Sequence, residues 1–187
     1  MATSKELAER LAARFPGLVA LLPEFRGETA VSVGEAGRIV EVMAFARSDL
    51  GFETLLDASG VDHLGKNPRF EMVYELYARV SGAYLRVKTA VAVEPPELPS
   101  VSGVWRAADW HEREAFDLFG IRFTGHPDLR RIMMWEGYPH HPLRKDFPLA
   151  GLPTHDRRAD VAPLEGGPFV TTPGVKTAVD REPRSKG

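Results

Sequence analysis

The run from Phe70 to Val93 constrains the fold more than any other stretch of this chain. Phe70, Met72, Tyr74, Leu76, Ala78 and Val80 share one face of an extended chain, with Glu71, Glu75 and Arg79 on the other. Ser81-Gly82 supplies turn residues. Leu85, Val87, Thr89, Val91 and Val93 then alternate against Arg86, Lys88, Ala90 and Ala92. Successive strand side chains point to opposite faces, so the pattern predicts an antiparallel hairpin with one dry face. Glu94-Pro95-Pro96 ends it, because proline cannot donate to a ladder.

A dry face needs a cover, and the N-terminal third offers two helices. Thr3 and Glu6 have capping-box spacing, and Leu7, Leu11 and Phe15 follow at helical intervals until Pro16. Ile39, Val42, Met43 and Ala46 fall at i, i+3, i+4 and i+7, which predicts a second helix, although the β-branched residues there also allow a strand. Residues 30–33 alternate weakly and read as a strand. The expectation is an α+β, two-layer domain over residues 1–152, on a mainly antiparallel sheet. From Pro148 to Gly174 there are nine prolines and glycines, and helical periodicity is lost. Residues 153–187 read as a Pro/Gly-rich extended arm with a solvated tail.

The densest chemistry lies between Trp110 and Met134, where two histidines, two glutamates, two aspartates and four arginines fall in twenty-five residues. Asp109 is placed to cap a helix with Glu112 at its N3 position, and Gly120 to end it after Phe119. Ala115, Phe116, Leu118 and Phe119 form its apolar side, with Arg113 and Asp117 one turn apart and within pairing reach. Carboxylates for acid–base work could come from Glu112, Glu114 and Asp117, but nothing sets two of them across a pocket. The blander reading is a solvated helix face.

Several chemistries are excluded. With no cysteine in the chain there is no disulfide, thiolate nucleophile, cysteine-type zinc site or cysteine-held iron–sulfur cluster. His111-Glu112 opens like a zinc-protease motif, yet the second histidine would fall at Ala115. A looser metal site of His111, Glu114 and His126 stays open, against the commoner role of a lone histidine in packing or hydrogen bonding. No G-x-S-x-G, P-loop or dinucleotide fingerprint occurs. The first ten residues hold Lys5, Glu6, Glu9 and Arg10, and the apolar run from Leu18 to Leu22 is far short of the roughly twenty residues a membrane helix needs.

Net charge of −2 exerts no bulk pull on nucleic acid or anionic lipid. Between Gly120 and Arg158, however, Arg122, Arg130, Arg131, Arg144, Lys145, Arg157 and Arg158 face only Asp128, Glu136, Asp146 and Asp156, with Phe123, Trp135, Tyr138 and Phe147 interleaved. An RNA surface or a protein interface both use this mixture. Arginine beside large aromatics in proline-rich backbone favours the protein interface, since RNA modules carry a stronger basic excess.

At these residues the chain resembles a known family. Glu112-Arg113-Glu114, two residues, Asp117-Leu118-Phe119, six residues, His126, three residues, then Arg130 and Ile132 is similar to the signature of the C-subunit of NADH-quinone oxidoreductase, the complex I 30-kDa subunit family. His140 to Leu149, HHPLRKDFPL, resembles that family's second hallmark, with His140 at a usual glycine position. Val61-Asp62-His63, the hairpin, and Leu98-Pro99-Ser100-Val101 through Trp105 recur in matching order, so the likeness covers roughly residues 30–150.

The resemblance implies helices on one side of a mixed sheet. It also implies a subunit without cofactor, in the peripheral arm of a proton-translocating NADH:quinone oxidoreductase whose FMN and iron–sulfur clusters sit on other chains. Implied partners are complex I subunits D, B and I, with membrane contact only through the complex, at the cytoplasmic side of the plasma membrane. Expected signature and interface residues are Glu112, Arg113, Glu114, Asp117, Phe119, Gly120, His126, Pro127, Asp128, Arg130, Arg131, Arg144, Lys145 and Asp146. In this reading the helix charges fix neighbouring elements, His126-Pro127-Asp128 makes a rigid turn, and Arg130, Arg131, Arg144, Lys145 and Asp146 tie the chain to a partner. Related complexes fed by ferredoxin, or linked to hydrogenases, a stand-alone metal enzyme and an RNA-binding module remain as alternatives.

Overall fold

Nine-residue alternation over residues 70–78 does build the centre of the molecule. The structure, a computed structural model, describes residues 2–91 and 94–148. In chain order these form helix α1 (Ser4–Arg14), strands β1 (Val19–Leu21) and β2 (Ala30–Val33), and a 3-10 turn (Ala36–Arg38) that runs into α2 (Ile39–Ser48). Strands β3 (Thr54–Asp62), β4 (Phe70–Ala78), β5 (Ala83–Val91) and β6 (Glu97–Pro99) follow, then α3 (Ala108–Phe119) and β7 (Arg122–Thr124). The main sheet has the order β1-β2-β5-β4-β3. Within that sheet only the β2–β5 pair is parallel, so it is mixed and mainly antiparallel, while β6 and β7 pair in parallel as a separate two-stranded sheet.

Burial follows the alternation. Phe70, Met72, Tyr74, Leu76 and Ala78 of β4 and Leu85, Val87, Thr89 and Val91 of β5 are buried on one face. Against it lie Leu7 and Leu11 of α1, Ile39, Val42, Met43 and Ala46 of α2, and Ala108 and Ala115 of α3. All three helices therefore cover one side, in two layers. The Thr3 cap forms in full: Glu6 N donates to Thr3 Oγ1 and Thr3 N to Glu6 Oε2. At α2 the 3.6-residue period overrides the β-branched content.

Three expectations need correction, and two fall outside the described residues. Val80 is not on the dry face; it lies beyond Ala78, 83 % exposed at the turn. β5 ends at Val91, while Val93 and the arm of residues 153–187 lie outside the described residues. Asp109 does not cap α3: Ala107 holds that position, without a side-chain bond, and Asp109 sits in the first turn. Helical turns leading in from Val101 already occupy the first amides, with Ala108 N donating to Trp105 O and Asp109 N to Arg106 O. Arg113 and Asp117 do not pair with each other; each reaches into a different part of the following segment.

β3 was not foreseen. Its Leu55-Leu56 pair breaks the alternation, a register shift falls between Leu55 and Asp57, and Gly60 interrupts the apolar set. That glycine has a use. A Cβ there would lie 2.8 Å from Phe119 Cδ2, so glycine lets α3 close directly onto the sheet.

Candidate functional site

Three carboxylates lie buried around α3: Asp62 at the end of β3, and Glu112 and Asp117 on the helix itself. The solvated-face reading of the helix charges is therefore wrong for Glu112, Arg113 and Asp117, all buried, and holds for Glu114, which is exposed. Burying a charge is costly unless hydrogen bonds replace water, so the partners of each group decide what it does.

Asp117 is the most fully supplied. Its Oδ2 accepts the backbone N–H groups of Ile132, Met133 and Met134 at 3.0, 2.7 and 2.8 Å, and its Oδ1 accepts Arg131 Nη1 at 2.6 Å. Burial pushes this carboxyl up, but those amides and the guanidinium outweigh it and hold it below its ordinary value of 3.8. The carboxylate thus fixes the bend of the segment that crosses the end of α3, a strap from Gly125 to Pro148.

The strap also satisfies the helix's C-terminal carbonyls, which have no partner within the helix. Asp117 O accepts Arg131 Nη1 and His141 Nδ1, Leu118 O accepts Leu143 N, and Phe119 O accepts Arg144 Nε at 2.7 Å. Cationic groups suit this negative end of the helix dipole. Burial lowers the His141 ring, and burial also lowers Arg144. Gly120 ends α3 with φ +77° as expected.

Asp62 pins the far end of the strap. Arg69 binds it through Nε (2.8 Å) and Nη2 (2.7 Å), and Lys145 N donates to its Oδ2 at 2.8 Å. The same guanidinium reaches Asp146 Oδ1 at 2.8 Å. Hydrogen bonding from Arg69, partly opposed by burial and aided by Lys145 N, holds the Asp62 carboxyl below its ordinary range. The Arg69 and Arg144 guanidiniums both lie near the Phe70 ring, 5.0 and 5.2 Å from its centroid.

Glu112 faces the other way, toward the segment entering the helix. Its Oε1 accepts Val101 N at 2.7 Å and its Oε2 accepts Ser100 Oγ at 2.5 Å. Arg113 stacks near Trp110, 5.0 Å from the ring centroid, and donates to Arg130 O and Arg131 O. In the His126-Pro127-Asp128 turn, Asp128 N donates to His126 Nδ1 at 3.0 Å, and Nε2 meets Asp109 O at 3.1 Å.

The structure sorts the expected residues into three groups: Glu112 with His126 at the helix entry, Arg113, Asp117, Phe119, Gly120, Arg131 and Arg144 where the strap crosses the helix end, and Asp146 on the Asp62–Arg69 pair. Glu114 is left at the surface, the Lys145 side chain is exposed, and Arg130 pairs outside with Asp128 at 2.8 Å. The suggested metal donors do not converge: His111 meets Asp57 Oδ1 at 3.2 Å, His126 is buried beside Asp109, and Glu114 is exposed. Among the described residues no group of three such side chains is placed to hold a metal. An open cleft of about 700 Å³ lies at the start of α3, lined in part by Ser102, Arg106, Asp109, Trp110 and Pro127. Asp62, Arg69 and Ser100 were missed as site residues. The signal for Asp62 was a single acid closing an otherwise uncharged stretch, Ala58 to Val61.

Known proteins resemble this chain over most of the described residues. Residues 33–153 match the family described as the respiratory-chain NADH dehydrogenase, 30 Kd subunit. The second C-subunit of NADH-quinone oxidoreductase from Rhizobium etli (strain CIAT 652) is 55 % identical over 116 residues, 61 % of this chain. That match spans 62 % of the relative's own length, under two thirds. The NADH-quinone oxidoreductase C-subunit of Geotalea uraniireducens (strain Rf4) is 43 % identical over 151 residues, 81 % of this chain and 92 % of that protein. Among solved structures, the trypsin-resistant fragment (1–134) of Nqo5 is 34 % identical with a TM-score of 0.58, covering 67 % of this chain and 98 % of the fragment. The chain belongs to the C-subunit family of NADH-quinone oxidoreductase, the 30 Kd subunit family of the respiratory-chain NADH dehydrogenase.

Proposed function

We propose that this chain is a cofactor-free scaffold subunit in the peripheral arm of a proton-translocating NADH:quinone oxidoreductase. It packs against the D-subunit, beside the quinone pocket, and lies near subunits B and I. FMN and iron–sulfur clusters on partner chains pass electrons from NADH to quinone, and the chain meets the cytoplasmic side of the plasma membrane only through the complex. One observation carries this reading: the signature charges Glu112, Asp117, Arg131 and Arg144 turn inward to fix the chain's own strap and helix entry. A scaffold needs such rigidity, whereas a catalytic centre needs some of those groups facing substrate.

What the fixed strap presents outward also supports an interface. Along the strap Met133 and Leu143 are 66 % and 52 % exposed, Trp135 is also exposed, and the Arg130–Asp128 pair stands at the surface. Aromatic, methionine and arginine side chains are enriched in protein interfaces.

A tagged pull-down from gently solubilised membranes tests the reading. Co-elution with a flavin and iron–sulfur assembly that oxidises NADH is the expected result. An assembly without NADH activity would point to a ferredoxin- or hydrogenase-linked relative, and recovery of the chain alone would end the scaffold reading. Arg130→Ala sharpens the test. Its exposed side chain leaves folding within about 0.5 kcal/mol of the parent, while assembly weakens by about 2 kcal/mol if the residue is a buried hot spot in the complex. A variant complex that assembled fully but turned over slowly would contradict a scaffold role for this residue.

A further inference from the structure

The buried carboxyl of Glu112 differs from Asp62 and Asp117 in lacking a cation. Among the described residues the only basic nitrogen in ion-pair reach is His126 Nε2, 3.9 Å from Glu112 Oε2. The ring's Nδ1 accepts a hydrogen bond from Asp128 N, so a second ring proton would set N–H against N–H there. Nε2 itself faces Asp109 O at 3.1 Å rather than the Glu112 carboxyl. The Asp109 carboxylate, first-turn neighbour on the same helix, adds negative charge to the surroundings. Arg113, next in sequence, turns away to Arg130 O and Arg131 O. From the sheet, Tyr74 brings a fully buried hydroxyl that makes no hydrogen bond among the described residues. The segment before α3 brings only Ser100, Ser102 and the Val101 amide.

We propose that Glu112 is a proton-binding site: the folded chain holds it as the neutral acid, and its ionisation loosens the seat of the Ser100–Val104 turn on α3. With the proton present the hydrogen bonds close as a chain. Glu112 Oε2–H donates to Ser100 Oγ, Ser100 Oγ–H donates to Ser102 Oγ at 2.7 Å, and Val101 N donates to Glu112 Oε1. On ionisation that proton leaves to solvent, and a full charge stays behind at a site with no accessible surface. The bonds to Ser100 and Val101 favour the charged form but are too few to offset burial, and the carboxyl is pushed up to about 7 from an ordinary 4.5. The folded value is raised, so this contribution to stability is complete below about 4.5 and is lost as pH rises through about 7. The turn it seats also carries Ser102 and Gly103, which line the cleft beside Trp110.

The test compares the full chain with Glu112→Gln, whose amide reproduces the neutral acid, by denaturant unfolding at pH 5.5 and 8.5. Groups out of contact with position 112, His141 among them, contribute alike to both chains and cancel. The parent's unfolding constant should rise roughly tenfold or more relative to the variant between the two pH values. An unchanged ratio would overturn the proposal. The second measurement needs no variant. In the parent chain with ¹³C-labelled glutamate, the Glu112 carboxyl signal should titrate well above the ordinary glutamate range, and a midpoint within it would refute the site.

Discussion

Asp117→Asn is expected to lower stability by about 3–5 kcal/mol, the usual range for breaking one side of a buried ion pair. Asparagine keeps the shape and one oxygen but turns an N–H₂ group toward donors. Three amides, at Ile132, Met133 and Met134, and the Arg131 guanidinium cannot all be served by one neutral oxygen. The loss falls on the strap first, since these four bonds set its bend. A thermal midpoint lower by roughly 10 °C is the corresponding shift for a chain of this size. Acid unfolding gives an independent reading. Asp117 is depressed below 3.8 in the folded chain, so its stabilisation is present above that value and disappears as pH falls through the folded one. The variant should therefore lose part of the acid limb of the stability curve. A change under about 1 kcal/mol would mean that the strap finds other acceptors.

The parts of this structure legible in sequence are those with a period. The β4–β5 hairpin, α2 and the capped α1 each repeat one choice many times, so isolated irregularities such as the β-branched residues of α2 did not change the outcome. β3 carries a register shift and a glycine, and its reason for existing, contact with Phe119, is set by a residue fifty-nine positions later. The site shows the same division. The sequence spacing singled out Glu112, Arg113, Asp117, Arg131 and Arg144, but not their direction. Charges at helical intervals look alike whether they face water or a strap, because the deciding partners are backbone amides and carbonyls that every sequence contains. Asp117 is fed mainly by main-chain N–H groups, and Arg144 and His141 by main-chain oxygens. No residue type announces them. Asp62 and Arg69 were invisible for a related reason: their link to Lys145 and Asp146 spans more than seventy residues.

Gly120→Ala should be the second severe substitution, at roughly 2–5 kcal/mol. A left-handed residue with a Cβ costs about 1–2 kcal/mol by itself, and overpacking a filled space adds about 1–3 kcal/mol. Both apply here. The backbone has φ +77°, and the new methyl would lie 2.6 Å from His141 Nε2 and against the Arg144 guanidinium. Those two side chains hold Asp117 O and Phe119 O, so moving them uncaps the helix and frees the strap together. Gly137→Ala is the matched control. It shares a positive φ, +87°, but a Cβ there meets nothing within 4 Å, so only the backbone cost remains. Amide hydrogen exchange separates the two. In Gly120→Ala, protection of Ile132, Met133, Met134 and Leu143 should fall while the β4–β5 amides keep theirs, as expected when one unit opens locally. Gly137→Ala should leave both sets protected. Equal losses in the two variants would mean that backbone strain alone governs the strap, and that the packing of His141 and Arg144 over Gly120 contributes little to holding it.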